Sequence, residues 1–152
     1  MMIVRERETF VQLAESHGLS LEWIDDAPVE LCALLPKQPG LDWSLSLLLQ
    51  NEDELCIQSE WFAVEWFPAY HPKREAEFIE ALDGLLSGTV QLVCKFGRRK
   101  QTPYSVALRT DTGSLHQYYD GFHLGCASGT IVLRNGSVPV AEGRGQLLSV
   151  MT

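Results

Sequence analysis

One amphipathic segment, residues 72–88, restricts the possible folds more than any other feature, because it separates two groups of strand-like runs. Pro72 suits the first position of a helix, and Gly88 suits the left-handed residue that ends one. The apolar residues between them recur every three to four positions and are Phe78, Ile79, Leu82, Leu85 and Leu86. The pattern predicts a helix from Pro72 to about Ser87.

A second helix and three strand-like runs precede this central helix. Apolar residues on one side of a 3.6-residue repeat, followed by Gly18, predict an N-terminal helix over about Ile3 to His17. The acidic stretch NEDE at 51–54 predicts a hairpin turn between the second and third strands. The predicted strands span 29–35, 43–50 and 54–67.

Further strand-like runs follow the central helix, at 89–96, 102–110, 115–119 and 130–134. Asn135-Gly136 is typical of a two-residue hairpin, and Pro139 limits the strand after it to a sheet edge. The order of elements predicts an α+β fold. It consists of a mainly antiparallel sheet of about six to seven strands, with the N-terminal helix and the central amphipathic helix packed on it.

The length and composition predict one globular domain over residues 1–152, with 141–152 as a loose tail. The chain has 152 residues, of which 45% are hydrophobic and 21% charged, and this is enough to bury a core. We expect a cytoplasmic protein with no membrane association, because the sequence shows neither a signal-peptide core nor an apolar span of bilayer length. Cys32, Cys56, Cys94 and Cys126 form no CxxC pair and are expected to be free thiols.

The charge of the chain is distributed unevenly. Its net charge is −8. Residues 1–87 hold five Lys/Arg against seventeen Asp/Glu, a net charge of −12, whereas residues 88–152 hold seven against three, a net charge of +4. An acidic surface argues against general nucleic-acid binding and favours either a basic partner or plain solubility.

The most aromatic stretch, EWFAVEWF at 60–67, contains Glu60 and Glu65. In one strand these residues, five apart, point to opposite faces, so they do not form an acid/base pair. One interpretation places Glu60 in solvent and pairs Glu65 with a basic residue across the sheet: Arg98, Arg99, Lys100 or Arg109. The other is an acidic and aromatic surface that docks a basic partner. Because no second catalytic group is indicated, we do not expect an enzyme.

Other chemistry has weak support in the sequence. His116, His123 and Cys126 lie within eleven residues and are weak candidates for a metal site, although their spacing matches no common zinc pattern. The nucleophile motif G-x-S-x-G is absent around Ser128. We therefore predict no cofactor.

The order of features over residues 53–112 resembles one group of immunity proteins of bacterial polymorphic toxins, including those of contact-dependent growth inhibition. The resembling features are an acidic turn (Asp53-Glu54), an aromatic strand (Leu55 to Phe67), the helix EAEFIEALDGLLSG (75–88), the strand TVQLVCKF, a basic tip and another strand. The match covers about two-fifths of the chain and lies in the order of features more than in the identity of the residues.

The resemblance implies a non-enzymatic cytosolic inhibitor that binds a cognate toxin domain and occludes its active site. A basic, nuclease-like toxin would be attracted by the acidic residues and held by buried aromatics. The residues expected to bind the partner are Glu52, Asp53, Glu54, Glu60 and Glu65 through charge, and Trp61 and Trp66 through burial.

Two alternatives remain open. A type III secretion chaperone is also small, acidic and α+β and binds an effector segment as a dimer, but a hairpin is predicted here at 130–140 in place of its C-terminal helix. A small ligand-binding or metal-binding domain would use the region of His116, His123 and Cys126. The sequence does not decide between monomer and homodimer.

Overall fold

The computed structural model describes residues 2–59, 62–97, 103–120, 129–136 and 140–142. Two helices and ten strands are present in these residues. They are, in chain order, α1 (Met2–Ser16), β1 (Glu22–Trp23), β2 (Leu31–Leu35), β3 (Leu45–Gln50), β4 (Glu54–Gln58), β5 (Ala63–Trp66), α2 (Pro72–Ser87), β6 (Gln91–Phe96), β7 (Pro103–Thr110), β8 (Gly113–Asp120), β9 (Gly129–Leu133) and β10 (Val140–Glu142).

The strands form two antiparallel five-stranded sheets, with the orders β1-β2-β3-β4-β5 and β10-β9-β6-β7-β8. This confirms the predicted α+β fold with an N-terminal helix and a central helix. The sequence predicted six to seven strands, and the described residues contain ten. Part of the difference comes from β1, which is only two residues long and was not predicted.

The chain divides into two compact units. The first contains the described residues of 2–59 and 63–83, and the second contains Phe62 and the described residues from Gly84 onwards. The single domain over 1–152 therefore stays a prediction. Of the predicted loose tail, residues 143–152 lie outside the described residues, whereas Ala141 and Glu142 pair with β9.

The first sheet has an apolar inner face that both helices cover. Leu31, Leu49, Leu55 and Trp66 form one row across four strands, and each is at most 5% exposed. The ring of Phe78 on α2 contacts Trp66 and also Phe10 of α1. Both helices therefore pack on the same face of this sheet.

The predicted strand over 54–67 is wrong, because this stretch is a hairpin of β4 and β5. Ala63 pairs with Gln58 and Trp66 pairs with Leu55. A single strand of 14 residues at about 3.3 Å each would extend roughly 46 Å, whereas the neighbouring β3 has only six residues. Because this stretch reverses direction, residues 63–66 pair with residues 55–58. The reversal also buries Val64 in the core.

Helix α2 has the predicted ends, Pro72 and Ser87. Its residues 72–83 lie in the first unit and 84–87 in the second. Gly88 follows with a φ of 84°, the left-handed conformation predicted for the residue that stops the helix. Within the second unit, Asn135 Nδ2 donates a hydrogen bond to the Leu86 carbonyl at 2.6 Å, and Arg134 Nε donates to the Gly88 carbonyl.

The second sheet also has a continuous apolar face. Leu92 pairs with Leu108 and Leu133, which flank it, and all three are at most 2% exposed. As predicted from Pro139, β10 is the edge strand next to β9. No helix in the described part of the chain is long and apolar enough to span a membrane.

Candidate functional site

The acidic turn between β3 and β4 is held in a defined conformation. Gln50 pairs with Glu54, so Asn51, Glu52 and Asp53 form a three-residue loop. Asn51 and Glu52 both adopt positive φ angles, 50° and 72°. The Asn51 side-chain amide donates to Glu54 Oε2 at 2.9 Å, and the Glu52 backbone N–H donates to Glu30 Oε1 at 3.0 Å. The Glu52 side chain is exposed, while Asp53 and Glu54 are half-buried.

Glu65 of β5 lies beside Glu54 on the outer face of the first sheet. It pairs with Cys56, which shares a face with Glu54 two residues away. The Glu54 and Glu65 carboxyl groups are hydrogen-bonded, and this bond is the main cause of the raised pKa of Glu65. The Asn51 amide is the main cause of the lowered pKa of Glu54.

The predicted pairing of Glu65 with Arg98, Arg99, Lys100 or Arg109 stays a prediction, and the group found beside Glu65 in the described residues is the carboxyl of Glu54. Arg98, Arg99 and Lys100 lie outside the described residues. The hairpin explains the contact with Glu54: folding β5 back onto β4 brings together two carboxyl groups that a single strand would keep far apart.

Two exposed aromatic residues adjoin the acidic turn. The side chains of Phe67 and Tyr70 are 62% and 65% exposed, the highest values among the large hydrophobic residues of the described chain. The Ala69 backbone N–H donates to the Asp53 carbonyl, which fixes this loop against the turn. We call Glu52, Asp53, Glu54, Glu65, Phe67 and Tyr70 the acidic–aromatic surface.

No family model, no curated protein and no solved structure matches this chain.

Sequence reasoning missed Phe67 and Tyr70. Phe67 was assigned to the predicted strand, and Tyr70 to the connection before the central helix. A signal was present: both stand in the short segment FPAYHP, which has a proline at each end of the loop, at Pro68 and Pro72. Aromatic residues in such a segment have few neighbours to cover them, because proline interrupts the strand before the helix begins.

Trp66 is a core residue, which corrects its assignment to partner binding. Its side chain is 2% exposed and packs edge-on against Phe78, with ring centroids 5.4 Å apart. Strand alternation explains the difference: Trp66 points to the inner face and its neighbours Glu65 and Phe67 are exposed. Glu60 and Trp61, also predicted to bind a partner, lie outside the described residues.

The predicted weak metal ligands stay a prediction, because only one of the three lies in the described residues. His116 belongs to β8, where its backbone pairs opposite Leu108, and His123 and Cys126 lie outside the described residues. Among the residues that the structure describes, no group of three or more His, Cys, Asp or Glu side chains could hold a metal ion.

Proposed function

We propose that this chain is a non-enzymatic immunity protein that binds a cognate, basic, nuclease-like toxin domain and neutralises it by covering its active site. The observation that carries the proposal is the acidic–aromatic surface, where four carboxyl side chains adjoin two exposed aromatic rings. A cytoplasmic location belongs to the same proposal, because an immunity protein meets its toxin inside the cell.

The carboxyl groups supply the long-range part of this recognition. Residues 1–87, which include the whole acidic–aromatic surface, carry a net charge of −12. A surface of this sign attracts a basic cleft and accelerates association in a manner that salt weakens. Occlusion of that cleft requires no catalytic group on the inhibitor.

The aromatic rings supply the short-range part. Phe67 and Tyr70 are mostly exposed, so a partner that covers them removes apolar surface from water. Aromatic residues are frequent binding hot spots because they bury a large area while few side-chain torsions are fixed. The Ala69 N–H donates a hydrogen bond to the Asp53 carbonyl, which holds the loop of Phe67 and Tyr70 in place. Binding therefore does not have to supply the free energy of ordering this loop.

The first experiment is co-expression of the tagged chain with the product of the gene immediately upstream, followed by purification at low and at high salt. We expect a one-to-one complex that weakens as the salt concentration rises, and rescue of growth in cells that express the toxin. Failure to co-purify at either salt concentration would contradict the proposal for that partner.

Matched variants test whether the acidic–aromatic surface makes the contact. The double substitution Phe67→Ser with Tyr70→Ser should abolish co-purification and growth rescue. Its control is Ile3→Ser with Val4→Ser, which removes two exposed apolar side chains of α1 (38% and 55% exposed) and should leave both readouts intact.

A second pair of variants tests the charge. Glu52→Lys with Asp53→Lys should slow association strongly, whereas Glu15→Lys with Glu80→Lys makes the same change in net charge at exposed helical positions. Equal loss of binding in both pairs would mean that only total charge matters, and would contradict a localised site.

A further inference from the structure

Helix α1 buries a carboxyl group where it contacts α2. The buried residues of α1 are Glu6, Phe10 and Ala14, spaced one turn apart on a single side. Glu6 is 0% exposed, and neither of its carboxyl oxygens receives a hydrogen bond from a donor in the described residues. A buried carboxylate without donors is costly, so the group has to be neutralised in another way.

The group within hydrogen-bonding reach of Glu6 is a second carboxyl, that of Glu75 on α2. Two carboxyl groups form a hydrogen bond only when one of them carries a proton. Glu75 is itself 9% exposed, and it forms an ion pair with Arg5, whose side chain is 62% exposed. Arg5 therefore compensates Glu75 from the solvent side, which leaves Glu6 as the group that holds the proton.

Arg74 of α2 and the inner faces of β2 and β3 offer no compensating charge to Glu6. The neighbouring basic residue of α2, Arg74, forms an ion pair with Glu77 of the same helix at 2.7 Å. The strands β2 and β3 contact α1, and their buried inner-face residues are apolar: Leu31, Ala33, Leu35, Leu45, Leu47 and Leu49. Burial, followed by the Glu75 carboxyl, raises the pKa of Glu6 to about 8.

We propose that the Glu6–Glu75 pair is a proton-controlled contact: α1 docks on α2 while the pair holds one proton, and α1 is released when that proton is lost. Deprotonation leaves two negative charges side by side with only Arg5 to compensate both, and the Glu6 carboxylate is fully buried. The next contact along the two helices is Phe10 against Phe78, with ring centroids 5.8 Å apart.

The sign of the pH dependence follows from the two states of Glu6. In the unfolded chain its pKa is the ordinary 4.5, and in the folded chain it is about 8. Between these values the folded chain binds the proton more tightly, so the contribution of Glu6 to stability is greatest below about pH 4.5 and is lost progressively as the pH rises to about 8. The ratio of folded to unfolded chain should fall about tenfold per pH unit in this window.

The test is urea unfolding of the full chain from about pH 5 to about pH 9, with Glu6→Gln compared with the unaltered protein. Glutamine keeps the shape and remains neutral, so the steep fall between about pH 5 and pH 8 should disappear. Glu15→Gln, at an exposed position of the same helix, should retain it. The same pH slope in Glu6→Gln and the unaltered chain would overturn the proposal.

Two measurements on the unaltered chain hold even if Glu6→Gln fails to fold. A carboxyl ¹³C NMR titration should place the Glu6 midpoint near 8, and a midpoint near 4.5 would refute the proposal. Hydrogen exchange, corrected for the intrinsic rate, should show that α1 amides lose protection above this midpoint before α2 amides do. Simultaneous loss in both helices would also overturn a release of α1.

Discussion

Glu65 and Glu54 stand on neighbouring antiparallel strands with their carboxyl groups hydrogen-bonded to each other. This arrangement requires one proton between them. The Asn51 amide donates to Glu54 and stabilises its charged form, so Glu65 is the member that keeps the proton as the pH rises. The negative charge of the acidic–aromatic surface consequently increases as the pH rises through the titration of Glu65.

Glu54→Gln should lower the pKa of Glu65, because the negative neighbour is replaced by an amide that can donate to the Glu65 carboxylate. A carboxyl ¹³C NMR titration measures this shift directly. Glu15→Gln, far along the sequence on α1 and exposed, should leave the Glu65 midpoint in place. An unchanged midpoint in Glu54→Gln would mean that the two carboxyl groups are not coupled in solution.

Substitution of Trp66 should mainly reduce stability, whereas substitution of Tyr70 should mainly reduce binding. Trp66→Ala removes a ring that is 2% exposed and should cost about 3–5 kcal/mol in the free energy of unfolding. Tyr70→Ala removes a ring that is 65% exposed and should change stability by no more than about 0.5 kcal/mol. Urea unfolding of both variants checks this order.

Binding assays complete the comparison. Under the proposed function, Tyr70→Ala weakens the complex with the toxin domain although the variant remains folded. A Trp66→Ala variant that still folds at low temperature should bind with nearly the affinity of the unaltered chain, since its side chain lies beneath the surface. The opposite order, with Trp66 needed for binding and Tyr70 for stability, would contradict the assignment of core and surface.

The sequence predicted the helices well because their signals are local. Pro72 and Gly88 mark the two ends of α2. The apolar stripe between them can be recognised from a few helical turns of sequence. The turn at 51–54 was also predicted from local residues, and its Asn51 and Glu52 adopt the positive φ angles that such a short loop requires. These features do not depend on distant parts of the chain.

The β4–β5 hairpin could not be predicted in the same way. Residues 59–62 (SEWF) contain no Gly, Asn or Pro to indicate a turn, and the apolar character resumes at once with Trp61 and Phe62. Strand pairing decides the reversal, and pairing depends on the short neighbouring strand β3. Since the hairpin also determines which side chains meet Glu65, the composition of the candidate site was only partly predictable: its acidic turn was found, and its aromatic half was not.

Gly88 and Gly136 allow a matched test of how α2 ends. Both have positive φ angles, 84° and 79°. Alanine is strained in this left-handed conformation, so either substitution should lower the free energy of unfolding by about 1–2 kcal/mol. A methyl group on Gly88 would lie 2.4 Å from the Asn135 carbonyl oxygen, whereas none of the described atoms comes within 4 Å of one on Gly136. Gly88→Ala should therefore destabilise the chain more than Gly136→Ala in urea unfolding. Equal losses in the free energy of unfolding would show that the end of α2 accommodates the added methyl group without further destabilisation.

The cysteines should differ in reactivity according to burial. Burial raises the pKa of both Cys56 and Cys94 to about 12, and the thiolate is the reactive form. Cys32 is only half-buried, and its pKa is also raised by burial. Brief alkylation of the native chain, followed by peptide mass spectrometry, should modify Cys32 ahead of Cys56 and Cys94, with all three equal in urea. Early modification of Cys94 in the native state would show that the apolar face of the second sheet opens to solvent.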